Sequence, residues 1–545
     1  MCTITLNKRK KCCSPDSSAS TSPYPMILLM LVGILGFVVS GCGEDSSSAS
    51  PNGTFSSEPI QLPHLYCTTS RYKPWEQDVF CPSEDFRQYC ADTDKAFSKE
   101  VRQGTYVDEN NWLRSWNHET YLWYNEIEDE NPRCCTTQEY FQLMKTKETT
   151  SSGKPKDRFH FSRPTAEYLE SSREGVSVGY GVKLLIINPM VPRDIRVAYT
   201  EPSSPATSSE INLVRGSRIL AVDGIDIVNS RGSNDIKDIN RALFQPEVGD
   251  THIFTVQDPG SSQERLIIMT AEKITSHPVQ NVKIMTDPKG DRIGYMLFNS
   301  HSISAAKPLI EAGKTFLEKG EGVDDLIIDL RYNGGGILFI SQLLSSMIAG
   351  SSKEGQTFLE IRGNDKQKSR FFPFNFEFEI NGETLSVPSL NLKRLFVLTG
   401  PSTCSASEGI INGLRGVDID IIQIGSTTCG KPYGFVPGEN CGTTYFSINF
   451  KDVNAKGTAD YADGFSPDCH IPNDDLSHNL GDPEETYLKT ALDYIRNGTC
   501  PSSEAYETQQ AAASIDSQKQ SSDIGPALTI PSADLPGKIV DPTLR

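Results

Sequence analysis

Three short stretches of the chain hold residues whose types and spacing could do chemistry. The first, Thr403-Cys404-Ser405-Ala406-Ser407-Glu408, lies between the apolar run Leu395-Phe396-Val397-Leu398 and the helix-like Gly409-Ile410-Ile411-Asn412-Gly413-Leu414. A strand, a tight turn of small residues and a helix expose a serine hydroxyl over a helix N-terminus, where free backbone N–H groups meet developing negative charge. Ser405 is therefore the candidate nucleophile. A serine hydroxyl is nearly inert at neutral pH and needs a base, and this stretch holds no histidine. Lys431 closes the second stretch, Gly425-Ser426-Thr427-Thr428-Cys429-Gly430-Lys431. Lysine serves as a base where burial among apolar groups disfavours its ammonium form. The third stretch is Arg331-Tyr332-Asn333-Gly334-Gly335-Gly336. Gly334 or Gly335, together with the N–H of Ala406, can donate to an oxyanion, because glycine lets the backbone approach a substrate closely. Glu408, one helical turn after Ser405, either caps its helix or orients the lysine, and capping is the favoured reading. Ser407 reads as a turn residue.

Rival chemistries fit less well. The stretch ending at Lys431 nearly spells a phosphate-binding loop, but Pro432 stands where a metal-binding hydroxyl is needed and Tyr433-Gly434 does not continue a helix. Cys404 is a competing nucleophile, although an exported thiol is more often paired. His301 and His470 are lone histidines, more often satisfied side chains than bases. No paired C-x-x-C or H-x-x-x-H spacing marks a metal site, and no cofactor is expected. The net charge of −18, with no basic stripe, argues against nucleic acid as a partner.

The elements that position these residues read as α/β. From Arg292 to Cys500 apolar strands alternate with amphipathic helices: Ile293–Phe298, helix Ser304–Leu317, Asp325–Leu330, helix Ile337–Ile348, Leu395–Leu398 and Asp420–Ile424. The serine and glycine turns each follow a strand and open a helix, which puts both on the carboxyl edge of one sheet. Ahead of this core, residues 172–275 show short β-type runs at Val182–Ile187, Ile195–Tyr199, Ile219–Val222, Ile253–Val256 and Leu266–Met269, with a helical stretch from Ile236 to Phe244. Residues 81–168 look helical and aromatic, with Trp112, Trp116, Trp123, Tyr140 and Phe141 as helix packing. Beyond Cys500 the composition turns to Ser, Gln, Ala and Pro, a tail expected to be mobile. At 545 residues and 37% hydrophobic, three or four modules can each bury a core.

The N-terminus carries Lys8, Arg9, Lys10 and Lys11, then the apolar run Met26–Val39, too short to span a membrane comfortably; it reads as a signal peptide. Val39-Ser40-Gly41-Cys42 resembles the lipobox of bacterial lipoproteins, which implies lipidation of Cys42, a membrane anchor and a location in the bacterial cell envelope, facing the periplasm. Residues 1–42 are then a signal peptide and 43–80 a flexible tether. Ten cysteines remain after Cys42 in a compartment where disulfides persist. Cys429 and Cys441 flank a loop and are a candidate pair, with Cys469–Cys500 a second.

Two family resemblances follow from these residues. Residues 172–275, with Leu213-Val214-Arg215-Gly216-Ser217-Arg218-Ile219-Leu220-Ala221-Val222-Asp223-Gly224, resemble a PDZ domain. Gly179, Tyr180, Gly181 and Val182 sit where PDZ domains place their carboxylate-binding loop, which implies capture of a peptide end. The blocks Asp329–Gly336, Ser405–Glu408 and Gly425–Lys431 resemble the C-terminal processing (tail-specific) serine peptidases, in the branch of PDZ-containing bacterial lipoproteins. The resemblance implies a crotonase-like α/β catalytic core at 280–500, Ser405 as nucleophile and Lys431 as general base. It implies an envelope-anchored endopeptidase acting on unstructured peptides or protein C-termini. Some members orient the lysine with a glutamine one turn later; here Phe435 stands there and the orienting role has no owner. A catalytically silent peptide-binding scaffold on the same fold is the alternative, and an acyl hydrolase using the same dyad is a third reading.

Overall fold

The computed structural model describes residues 75–501, apart from Phe97 and Glu321, together with Lys538 and Ile539. The signal peptide, the lipidation site at Cys42 and most of the tether lie outside the described residues.

The N-terminal segment is less helical than its aromatic spacing suggests. It holds helix α1 (Tyr106–Thr120) and the short α2 (Thr137–Leu143). Each starts at a threonine whose backbone N–H donates to the acid three residues on, Asp108 or Glu139, the capping arrangement that fixes a first turn. Most of the remainder is turns and short 3-10 segments, broken at Pro82, Pro132 and Pro155, until strand β1 (Phe161–Pro164). Its aromatics pack on the C-terminal α/β segment rather than among themselves alone: Trp112, Phe141 and Tyr445 share one buried cluster, and Phe159, Phe161, Phe435 and Phe446 another.

The second segment is a six-stranded sheet built on β2 (Val182–Asn188), β3 (Asp194–Thr200), β4 (Arg218–Val222), β5 (Thr251–Gln257) and β6 (Glu264–Thr270), in the order β6-β5-β4-β3-β2, with Ile225–Asp226 pairing β4 off that path. Helix α3 (Ser233–Phe244) closes its core through Ile236, Ile239 and Ala242. Val176–Gly179 pairs antiparallel with Glu272–Thr275, tying the two ends of the segment together.

The third segment supplies the sheet that carries the site. Its strands are β7 (Val279–Thr286), β8 (Arg292–Phe298), β9 (Asp325–Asp329), β12 (Arg394–Thr399), β13 (Asp420–Gly425) and β18 (Cys469–His470), in the order β7-β8-β9-β12-β13-β18; only β7 runs antiparallel. Every residue of β9 is buried, as a parallel strand covered on both faces must be. Alternate strand residues divide between two cores. Met296, Phe298, Leu326, Ile328, Leu395 and Val397 meet helices α4 (Ala306–Phe316), α5 (Leu338–Ala349) and α6 (Ala406–Gly416). Tyr295, Leu297, Ile327, Phe396 and Leu398 meet α7 (Thr486–Asn497) on the other face.

Two smaller sheets flank the core. One runs β11 (Arg370–Pro373), β10 (Thr357–Arg362), β17 (Phe450–Val453), β14 (Tyr433–Phe435) and β19 (Lys538–Ile539). The other joins β15 (Gly438–Asn440) and β16 (Thr443–Phe446) to β1 of the N-terminal segment. Lys538 and Ile539 depart from the expectation of a mobile tail, since both sit in a strand ladder.

The disulfides correct one pairing and agree with another. Cys429 bonds Cys404, and Cys441 bonds Cys90, so the Cys429–Cys441 pair is wrong: the intervening loop leads β14 and β15 away from each other's partners instead of closing on itself. Cys469–Cys500 is present, and the neighbours Cys134 and Cys135 also pair. Cys90–Cys441 clamps the N-terminal segment to the core beside the β1–β16 pairing.

Candidate active site

Ser405 stands at the N-cap of α6 with φ +57° and ψ −108°, a left-handed conformation that costs a serine about 1–3 kcal/mol. Its surroundings hold it there. Ser405 N–H donates to Glu408 Oε2 at 2.8 Å, Cys404 N–H donates to Asn333 O, and Ser407 Oγ donates to the same carbonyl. The glycine turn after β9 lies directly against this turn: a Cβ on Gly335, whose φ is +98°, would fall 2.7 Å from Cys404 O and 3.1 Å from Ser405 Cβ. Only glycine fits there. Nucleophile turn and glycine turn therefore meet at the carboxyl ends of adjacent strands β12 and β9.

Glu408 gathers the second stretch, Gly425–Lys431. Its carboxylate accepts from Gly430 N at 2.8 Å, Lys431 N at 2.8 Å and Thr428 Oγ1 at 2.5 Å, besides Ser405 N. One oxygen, Oε2, receives both Ser405 N–H and Lys431 N–H, so these amides stand at most twice that bond length apart. The Cys404–Cys429 disulfide and the bond from Cys429 N to Thr403 O suture the same two loops. Burial pushes the Glu408 carboxyl above its usual range, while the Thr428 hydroxyl and the three amides pull it down. Glu408 is thus the positioning residue of the main chain on both sides of the site.

The side chains themselves are enclosed. Ser405 is 0% exposed and Lys431 1%. Ser405 Oγ makes no hydrogen bond within the described residues. Lys431 Nζ lies 3.9 Å from the centre of the Phe435 ring and 4.6 Å from that of Phe159, a placement that ring quadrupoles favour for an amine carrying charge. Phe435, one turn after Lys431 where some members of the resembled family carry a glutamine, contributes an aromatic face. Phe159 arrives from the N-terminal segment, and its neighbour Arg158 donates to Cys429 O at 2.8 Å and Gly430 O at 3.2 Å. Sequence reasoning missed both, because a contact across some 270 positions leaves no periodic trace.

Of the proposed oxyanion donors, Ala406 opens α6, where no intrahelical acceptor exists for its N–H. Gly335 N–H donates to Asn333 Oδ1 at 3.0 Å, which leaves the Gly334 amide as the better second donor. Asn333, whose place in the motif carries no sign of its role, holds the turn in shape. Its Oδ1 also meets His301 Nδ1 at 3.0 Å and its Nδ2 donates to Phe298 O, so it anchors the glycine turn to β8. His301, buried against that turn, belongs to this scaffold, and His470 lies exposed at the end of β18.

A buried ion cluster supports the turn from below. Arg331 donates to Asp329, Glu485 and Asp474, and Arg215 of the second segment reaches Tyr332 Oη at 2.6 Å and Asp474 Oδ1 at 2.8 Å. Gly179, Tyr180, Gly181 and Val182 are not brought to Ser405. They lead into β2, the edge strand of the six-stranded sheet, with the Tyr180 ring buried in its core and its hydroxyl donating to Ala242 O.

Cys404, Glu408 and Cys429 place three potential metal-ligand atoms within 4.8 Å of one another. With both sulfurs in a disulfide and the carboxylate engaged by four donors, this set is not arranged to hold an ion. A cavity of about 790 Å³, lined by Tyr106, Glu109, Cys134, Cys135 and Tyr445, lies at the N-terminal segment and holds none of the candidate residues.

Residues 292–440 match Peptidase family S41. Over 288 residues the chain is 31% identical to the chloroplastic C-terminal processing peptidase of Tetradesmus obliquus, covering 49% of this chain and 56% of that protein. The chain therefore spans little more than half the length of that curated relative. Among solved structures, a candidate S41 protease from Bacteroides fragilis NCTC 9343 has the same fold, with a TM-score of 0.55 at 23% identity over 71% of this chain and 97% of that one. Strands β8, β9, β12 and β13, the glycine turn and the serine turn fall inside the matched region, and on these grounds the chain carries a Peptidase family S41 domain and is a homologue of the C-terminal processing peptidases.

Proposed function

We propose that the chain is a serine endopeptidase that cleaves unstructured peptides or protein C-termini with Ser405 as nucleophile and Lys431 as general base. The observation that carries this reading is the shared oxygen of Glu408, which holds the backbones of both residues, with the Cys404–Cys429 bond beside it. In its neutral form the Lys431 amine, turned from the Phe435 ring toward Ser405 Oγ, takes the hydroxyl proton as Oγ attacks the scissile carbonyl. The carbonyl oxygen, now negative, accepts from the Ala406 and Gly334 amides. The ammonium then protonates the leaving amine, and the same base activates water to release the acyl group. The edge strand β2 and the Gly179–Val182 approach to it suit the PDZ-like capture of a peptide end. Lipidation at Cys42 would hold the enzyme to the cell envelope, facing the periplasm.

Ser405→Ala and Lys431→Ala should each reduce hydrolysis of an unfolded, labelled substrate to background while leaving the thermal transition in place. Undiminished turnover in either variant refutes the dyad. The scaffold alternative draws on the enclosure of both side chains. It predicts peptide binding without cleavage, insensitive to Lys431→Ala.

A further inference from the structure

Strand β14 starts two residues after Lys431 and pairs with β17 on one side only. Its other side is an edge, a row of main-chain donors and acceptors to which an extended peptide can add. The chain's own C-terminal segment takes that edge. Lys538 pairs with Gly434 and Ile539 with Phe435, in parallel register. Phe435 is the residue whose ring lies under the Lys431 amine. The tail strand is therefore hydrogen-bonded along the segment that carries the base, six residues before the chain ends at Arg545.

We propose that the C-terminal strand is an intramolecular occupant of the substrate edge at β14, which an incoming peptide must displace. The proposal rests on reading this site as one that binds peptide. It adds that the ligand lies parallel to β14 and that the free enzyme is self-occluded. Reach is no obstacle, since the 36 residues from 502 to 537 can extend to on the order of 100 Å. A tethered strand acts at an effective concentration near the millimolar range, so even weak pairing competes with a dilute substrate.

The test measures binding in the Ser405→Ala background, so that it does not depend on cleavage. A fluorescent unstructured peptide is titrated into the full chain, into a chain lacking residues 536–545, and into the full chain carrying Lys538→Pro and Ile539→Pro, which removes two ladder N–H groups while keeping the tail. Both altered chains should bind about tenfold or more tightly than the full chain, and a synthetic peptide of residues 534–545 should compete for the shortened chain where a scrambled version does not. Equal Kd in all three chains, or equal competition by the scrambled peptide, overturns the proposal. A full-chain Kd that weakens with protein concentration shows tail exchange between copies and overturns the intramolecular form. If the chain with Ser405 intact cleaves nothing, the peptidase reading fails, yet these binding constants still decide this one.

Discussion

Two glutamates lie fully buried at the carboxyl end of the central sheet, and they are neutralised in opposite ways. Glu485 receives a bidentate pair from Arg331, at 2.7 and 2.9 Å, and caps α7 through Leu488 N. Glu408 receives three main-chain amides and a threonine hydroxyl. The first arrangement satisfies a charge with a charge and fixes the framework beneath the glycine turn. The second spreads a carboxylate over neutral donors belonging to the loops that carry Ser405 and Lys431. A lysine acting as a base, as proposed for Lys431, has to surrender its proton, and a carboxylate held by amides anchors its backbone without requiring an ion pair from its side chain.

The largest effect should come from Arg331→Met. It strips the fully buried Asp329 and Glu485, and the mostly buried Asp474, of a shared cation, and breaking a buried pair by removing one partner costs about 3–5 kcal/mol. Urea unfolding should show that loss, and a variant as stable as the parent would mean that the cluster is solvated.

Glu408→Gln should cost less stability, about 1–3 kcal/mol, but nearly all hydrolytic activity. The glutamine amide group turns a donor toward backbone N–H groups that need an acceptor. Its pH signature separates the two regions. Because burial raises the Glu408 carboxyl, the native state keeps a proton that the unfolded chain has released, so stability falls as pH rises from the ordinary carboxylate range through the raised value. At the arginine cluster the sign reverses. Asp474 is held below its usual range by Arg331 and Arg215 despite burial; its contribution is present above the ordinary value and is lost as pH falls through the lowered one. Unfolding free energies across acid pH should therefore lose a downward slope in Glu408→Gln alone, and an unchanged slope would remove Glu408 from the titrating groups.

What the chain revealed before folding follows the same division. Strands buried on both faces carry unbroken apolar runs, Leu326–Ile328 and Leu395–Leu398, bounded by polar residues and turns, and the serine and glycine turns that follow them are local signals. The five long strands of the second segment were legible as short β-type runs between turns, half-buried and in part alternating. Illegible were contacts made by main-chain geometry and distant partners. Glu408 as a bridge between two loops depends on where Gly430 and Lys431 place their amides, which no side-chain pattern encodes. Strands of two to four residues, such as β14 and β19, carry no measurable alternation. The Cys90–Cys441 pairing follows topology across a sequence separation of 351.

Arg158→Ala should give the smallest change and the sharpest contrast with Arg331. Both arginines are partly or wholly buried, but Arg331 donates to three carboxylates whereas Arg158 faces the carbonyls of Cys429 and Gly430. Its removal breaks no direct ion pair among the described residues, and the two carbonyls keep their second lone pairs for water. Stability should therefore change by about 1 kcal/mol, the net worth of an ordinary hydrogen bond. Catalysis should respond differently, because those carbonyls flank the peptide that delivers Lys431. A loop released from the N-terminal segment positions the amine less well, and kcat should fall about tenfold, equivalent to 1.4 kcal/mol, with KM unchanged. Arg158→Lys, which restores one donor, should recover part of kcat. If Arg158→Ala instead destabilises the fold as deeply as Arg331→Met, the distinction between framework charge and loop anchoring is wrong, and the N-terminal segment holds the molecule together at that point instead of tuning its site.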